Sequence, residues 1–184
     1  MVSDSPYVRG HHAVTFYSSA DELFTTVGAF VMEGLALGEP ALLIATEPHA
    51  IGILDGLRAR NVDVDGAVAR GDIVVFDALE TLERITVDGE IDPDKFDRAL
   101  AAAIDTTVRG RPAGAALRAY GEMVDVLCQN GEQDEAIRLE ILWNRFGGAR
   151  PMSVICGYAS SDFVGQRTAY DAVCRLHSHV VAAA

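Results

Sequence analysis

The residues best placed to do chemistry near the start of this chain are His12-Ala-Val-Thr-Phe16-Tyr17-Ser18-Ser19-Ala-Asp21-Glu22. They read as a buried strand, a tight turn and the first turn of a helix, where a nucleotide-binding α/β protein keeps its phosphate loop. Such a loop needs glycines, so that backbone N–H groups can approach the phosphates, and a lysine to reach the outer two. The only lysine of this chain is Lys95, far downstream. Ser19 and Glu22 instead form an S-x-x-E capping box, which satisfies the first N–H groups of the helix from within. Asp21 and Glu22 place negative charge where a phosphate would sit. The layout is that of a nucleotide protein; the local chemistry argues against a nucleotide.

Other chemically capable residues fall at the ends of further apolar runs: Thr46-Glu47-Pro48-His49, Asp77, Tyr120-Gly121-Glu122 and Cys156-Gly157-Tyr158. In open α/β sheets ligands bind at the carboxyl ends of the strands. The expected ligand-binding set is therefore Tyr17, Ser18, Glu47, His49, Tyr120, Glu122 and Tyr158. Aromatic walls with a few polar groups suit a small organic ligand better than a polyphosphate. Each residue also has a plainer reading. Tyr17 fits a core aromatic with a satisfied hydroxyl, and Glu47 and Glu122 fit negative charges at helix starts. Glu47 and His49 are two groups in one loop without a third, so no metal site is expected. Neither a catalytic residue nor a cofactor is expected.

Four further residues read as structural. His12 begins the strand that Tyr17 ends, about 16 Å away at roughly 3.3 Å per residue and on the opposite face, so it suits a hydrogen bond at the start of the strand. Arg118 stands on a strand, whereas Glu140 and Trp143 share one helix at i, i+3. A buried Arg118–Glu140 pair is one arrangement open to them, and Trp143 suits core packing. Cys156 lies in an apolar strand, which raises a thiol's pKa and makes it inert.

The elements that must position these residues alternate. Apolar runs at 13–17, 41–46, 72–76, 115–120 and 152–156 predict five strands. Helical spacing predicts helices over 23–37, 48–61, 78–85, 93–108, 122–129, 133–146 and 166–180. Residues 87–93 read as a loop turning at Gly89, and 1–10 as a loose tail before a single domain, 11–184. The expected fold class is α/β: three layers, a mostly parallel sheet flanked by helices.

Composition bounds the partners. The chain has 184 residues, 49% apolar and 23% charged, enough for one sizeable core. Its net charge of −12 repels a phosphate backbone, so no direct nucleic-acid partner is expected. Three cysteines, an odd number in apolar surroundings, suit reduced thiols in a cytoplasmic protein. Neither a signal peptide nor a membrane span is expected.

The motifs together resemble the MEDS domain, the methanogen/methylotroph sensory domain, a family related to RecA and KaiC-type ATPases. The resemblance rests on His12-x-x-x-Phe16-Tyr17, on Gly38-Glu39-Pro40 followed by an apolar strand and Thr46-Glu47-Pro48-His49, and on Gly71-Asp72-Ile-Val-Val-Phe-Asp77. Its sharpest part is Arg118-Ala-Tyr120-Gly121-Glu122-Met123, continued by Leu139-Glu140-x-x-Trp143-Asn144 and Cys156-Gly157-Tyr158. It implies a RecA/KaiC-like fold with a degenerate phosphate loop. It also implies a prokaryotic signal-transduction module that senses simple hydrocarbon derivatives and does not catalyse. Such domains sit beside helix-turn-helix, histidine kinase or anti-sigma kinase-like modules. No such module is read in these residues, so the expected output is a separate kinase, anti-sigma factor or transcription regulator, or a homo-oligomer. Segments 81–92 and 128–133 are expected to act as lids. A nucleotide enzyme using Arg109 or Arg111 for phosphate, and a scaffold that only assembles, are the alternative readings.

Overall fold

A computed structural model describes residues 10–148 and 150–182; the tail expected over 1–10 lies almost wholly outside them. Six strands form one parallel sheet: β1 (His12–Tyr17), β2 (Ala41–Ala45), β3 (Ile73–Asp77), β6 (Leu117–Gly121), β7 (Met152–Ala159) and β8 (His179–Val181). Their order across the sheet is β3-β2-β6-β7-β1-β8. A small antiparallel hairpin, β4 (Thr86–Val87) and β5 (Glu90–Ile91), stands apart from it. It occupies the segment that reads as a loop, with Asp88 and Gly89 both at positive φ in its turn.

The helices divide between the two faces. One face buries α1 (Ala20–Ala36), α2 (Glu47–Ala59) and α3 (Val64–Arg70), through Leu23, Val27 and Phe30 of α1 and Ile53 and Leu57 of α2. The other face buries α4 (Ala78–Ile85), α5 (Pro93–Thr107), α6 (Met123–Gln129), α7 (Gln133–Gly147) and α8 (Arg167–Leu176). The strands between them are buried on both sides and alternate by residue. In β2, Leu42 and Ile44 face one core while Ala41, Leu43 and Ala45 face the other. Each fully buried Leu or Ile contributes roughly 1.5–3 kcal/mol of transfer free energy. The α/β, three-layer expectation is what the structure shows, and α3 is an addition to it.

The chain's end differs from the sequence reading. Periodicity predicts a last helix over 166–180, but α8 stops at Leu176 and His177 is already extended, at φ −112° and ψ 151°. Ser178 then donates from its N–H to the His12 carbonyl at 2.7 Å, and Ala13, Val14 and Thr15 pair with His179, Val180 and Val181. Parallel pairing with β1 and two β-branched valines outweigh the helical pattern of the preceding turns.

Arg118 does not pair with Glu140. Its side chain leaves β6 on the α1 face, whereas Glu140 hangs from α7 on the opposite face, so the sheet separates them. Arg118 instead donates from Nε to Glu39 at 2.9 Å and from Nη1 to the Phe30 carbonyl at 3.0 Å, with its guanidinium 4.9 Å from the Phe30 ring centre. Gly34 makes room for it, since a Cβ there would stand 2.6 Å from Arg118 Cδ. Both charges are almost wholly buried. Replacing Arg118 with Leu removes the cation facing a buried carboxylate and is expected to lower the unfolding free energy by about 3–5 kcal/mol. Urea denaturation reads this directly, and a loss under about 1 kcal/mol would contradict a buried pair.

Candidate functional site

The strand register sets a step in the carboxyl-end rim. Gly121, the last residue of β6, is level with Cys156 of β7, so β7 runs on through Gly157, Tyr158 and Ala159 beside β1. α6 fills that step. Around it opens a cleft of about 700 Å³, lined by Tyr17, Ser18 and Ser19, by Thr46, Pro48 and His49, by Glu122, Asp125 and Gln129, and by Ala159–Ser161. It lies where β1 and β2 send their helices to one face while β6 and β7 send theirs to the other, the switch point at which open α/β sheets bind ligands.

Two carboxylates organise the cleft. Glu122 is buried and accepts from the Thr46 N–H, from the Tyr120 hydroxyl at 2.7 Å, and faces His49 Nδ1 at 2.8 Å. Burial alone would raise its pKa, yet the bonds from His49 and Thr46 hold it below the usual carboxylate range. Asp125 accepts from the Tyr17 hydroxyl at 2.7 Å, from Gln129 Nε2 at 2.8 Å and from the Ala159 N–H at 2.7 Å. Here burial wins and pushes the pKa up to about 6, against the pull of the Ala159 N–H and the Tyr17 hydroxyl. The bond to Glu122 raises the pKa of His49, partly opposed by burial. The His49 ring stands edge-on to Tyr17 and to Phe24, with centroids 5.9 and 5.8 Å away.

At the start of α1 the cap is self-contained. Glu22 N–H donates to Ser19 Oγ at 3.3 Å, and the Glu22 carboxylate accepts from Ser18 N–H at 2.7 Å, one residue earlier than a simple capping box would use. Among the described residues, none lining the cleft is Lys or Arg.

Of the seven rim residues expected from sequence, the structure gathers Tyr17, Ser18, His49 and Glu122 at the cleft. Tyr120 stands behind Glu122 as its buried donor. Glu47 is elsewhere: as the first residue of α2 it borders a separate depression with Ala50, Ile51, Val75 and Asp77. Tyr158 is also elsewhere, because β7 extends past Cys156 and strand alternation turns its ring under α7, where its hydroxyl reaches Glu140 at 2.7 Å. Asp125 and Gln129 were not expected. The spacing Glu122-x-x-Asp125 at a helix start does place both acids on one side and was the available signal. Of the expected lids, 128–133 contributes Gln129, whereas 81–92 is the end of α4 and the hairpin and contributes no residue to the cleft lining.

Of the four structural residues, His12, Glu140 and Trp143 gather on the α7 face, while Arg118 lies on the α1 face. His12 contacts Asn144 and Cys156, Glu140 accepts from Tyr158, and Trp143 packs edge-on to Phe96 with centroids 5.6 Å apart. His12 and Tyr17 do leave β1 on opposite faces.

The family model described as "MEDS: MEthanogen/methylotroph, DcmR Sensory domain" matches residues 11–178. Among solved structures, the KaiC-like protein PH0186 of the hyperthermophilic archaeon Pyrococcus horikoshii OT3 is similar in fold, with a TM-score of 0.58 at 14% identity. The match covers 84% of this chain and 65% of that one, so the chain spans just under two thirds of its structural relative. No curated protein matches. Among the described residues, no helix is long and apolar enough to cross a membrane.

The two titrating groups of the cleft predict opposite ends of one pH profile. Asp125 is raised, so the folded state holds its proton more tightly than the unfolded chain, and its contribution falls as pH rises from about 4 through about 6. His49 is also raised, so its contribution is full below about 6.5 and is lost as pH rises through its folded value. Thermal unfolding midpoints are expected to fall less steeply than in the wild type at the lower end of this range in Asp125→Asn and at the upper end in His49→Gln. Wild-type slopes in both variants would contradict the assignment.

Proposed function

This chain belongs to the MEDS family of sensory domains, and from that premise we propose that it binds a small, weakly polar organic metabolite in the cleft at the carboxyl ends of β1, β2, β6 and β7. Tyr17, Ser18, His49, Glu122, Asp125 and Gln129 are the residues proposed to meet it. The observation that carries this reading is a cleft lined by two acids that already have partners. Such a site favours a neutral or donor-bearing ligand and disfavours a phosphate, because no Lys or Arg among the described residues lines it and the Glu22 carboxylate already takes the Ser18 N–H at the α1 start.

Signalling follows from what the two acids tie together. Glu122 joins β6 to the start of α2, and Asp125 joins α6 to the ends of β1 and β7. A ligand that takes over one of these bonds changes the relative stability of two arrangements of α2 and of the turn at Ser160–Phe163. A separate signalling protein then reads that change, and the domain itself catalyses nothing.

The KaiC-like fold supplies the rival reading, in which the cleft holds a nucleotide. Thermal-shift titration separates them. ATP with Mg²⁺ at millimolar concentration is expected to leave the midpoint unchanged, whereas small alcohols, amines and halogenated hydrocarbons are expected to include one that raises it. A ligand at 100 times its dissociation constant stabilises by about 2.7 kcal/mol. That shift is expected to shrink at least tenfold in apparent affinity in Gln129→Ala. Stabilisation by sub-millimolar ATP would overturn the sensor reading.

A further inference from the structure

Away from the cleft, on the α7 face of the sheet, four buried side chains from distant parts of the sequence converge. They are His12 of β1, Glu140 of α7, Cys156 of β7 and His177 at the end of α8. One ligand atom from each lies within 4.8 Å of all the others. His12 Nε2 is 3.2 Å from Glu140 Oε2 and 3.1 Å from Cys156 Sγ. His177 Nε2 is 3.3 Å from the same Glu140 oxygen, and Cys156 Sγ is 3.5 Å from it.

The outer nitrogens of the two imidazoles fix what the inner ones present. Asn144 donates from Nδ2 to the Leu176 carbonyl at 2.7 Å, which turns its Oδ1 toward His12 Nδ1 at 3.1 Å. That oxygen only accepts, so Nδ1 carries the hydrogen. His177 Nδ1 faces the Val173 carbonyl at 2.8 Å, with the same consequence. In the neutral rings both Nε2 atoms therefore offer lone pairs to a carboxylate oxygen that also offers lone pairs. With both rings neutral, the Cys156 S–H is the single hydrogen among them; burial lowers the pKa of His177 but Glu140 and the Val173 carbonyl together raise it by more, so a proton on Nε2 and a metal ion are rivals for the same space. His177 Nε2, with no exposed side-chain surface, lacks the alignment of a hydrogen bond to any group. A buried polar atom in that condition calls for something between the groups.

We propose that His12, Glu140, Cys156 and His177 form a closed, structural site for a divalent transition metal ion, zinc by the chemistry of its donors. Zinc bound at about 2.0–2.3 Å by N, O and S sets tetrahedral ligand separations of roughly 3.3–3.8 Å, close to the four separations given above, and the other two pairs lie within 4.8 Å. One thiolate, one carboxylate and two neutral imidazoles balance the ion's charge, leaving a neutral centre in an apolar core. On binding, the Cys156 thiol proton leaves to solvent. The Nδ1 bonds to Asn144 and to the Val173 carbonyl are the outer contacts that orient metal-bound histidines. A pocket of about 100 Å³ beside His12 and Asn144 offers the ion a route inward. Four protein ligands leave no open position, so the ion's work is to fasten β8 and the end of α8 to β1, β7 and α7. This site is independent of the cleft and of its ligand.

The test uses the full chain without an affinity tag, stripped of metal under reducing conditions and titrated with Co²⁺ and then Zn²⁺. One equivalent of cobalt is expected to give a thiolate-to-cobalt charge-transfer band with intense tetrahedral d–d bands, which one equivalent of zinc then bleaches. The charge-transfer band should vanish in Cys156→Ser and persist in Cys174→Ser. Zinc is expected to raise the thermal midpoint of the wild type. Should Cys156→Ser fail to fold, X-ray absorption of the zinc-loaded wild type decides, with one sulfur and three nitrogen or oxygen neighbours expected. Failure of the wild type to take up stoichiometric metal, a band that survives loss of Cys156, or a metal shell without sulfur would each overturn the proposal.

Discussion

The structure depends on two carboxylates that collect the free ends of a parallel sheet. Strands in such a sheet end at different heights, and their last N–H groups and side chains need partners that the ladder no longer supplies. Glu122 and Asp125 meet this need in a single helical turn, taking donors from the ends of β1, β2, β6 and β7. A buried acid is costly unless several donors surround it. The same bonds that hold the rim therefore hold the acids in place. The cleft is thus built from interactions that also keep the strand ends in register, so a change at the cleft reaches four strands at once.

Buried acid recurs in this fold, answered differently each time. Glu39 meets the guanidinium of Arg118 across the α1 face. Glu122 meets a backbone N–H, a phenol and an imidazole at the rim. Glu140 meets a phenol, two imidazoles and a thiol beneath α7. The first is an ion pair that locks a strand to a helix. The second is a hydrogen-bonded hub that joins β6 to the start of α2. The third is short of hydrogens and fits a cation.

The fold is shared with a KaiC-like protein at 14% identity, and a shared fold does not by itself carry a shared chemistry. The turn after β1 leads into the N-terminus of α1, where Glu22 takes the Ser18 N–H and Ser19 takes the Glu22 N–H. Glu122 and Asp125 line the cleft, and Asp21 and Glu22 stand in the first turn of α1. The sheet keeps its switch point and the cleft that comes with it, and two carboxylates stand in that cleft.

Much of this was legible in the linear chain. Apolar runs, glycine stops and capping residues are local signals, so the α/β class, the strands β1, β2, β3, β6 and β7, and most helix starts could be read from them, as could the closed cap of α1 and the opposite faces of His12 and Tyr17. The three-residue extension of β7, the helix that stops at Leu176 and the strand that follows it depend on pairing with β1, which periodicity within one segment does not encode. The partner of Arg118 was missed because a strand position does not reveal which core it faces until the sheet order is known. The meeting of His12, Glu140, Cys156 and His177 was invisible for the same reason: sequence spacing describes neighbours along a chain, and these four become neighbours only when the sheet is assembled and α7 and α8 are laid across it.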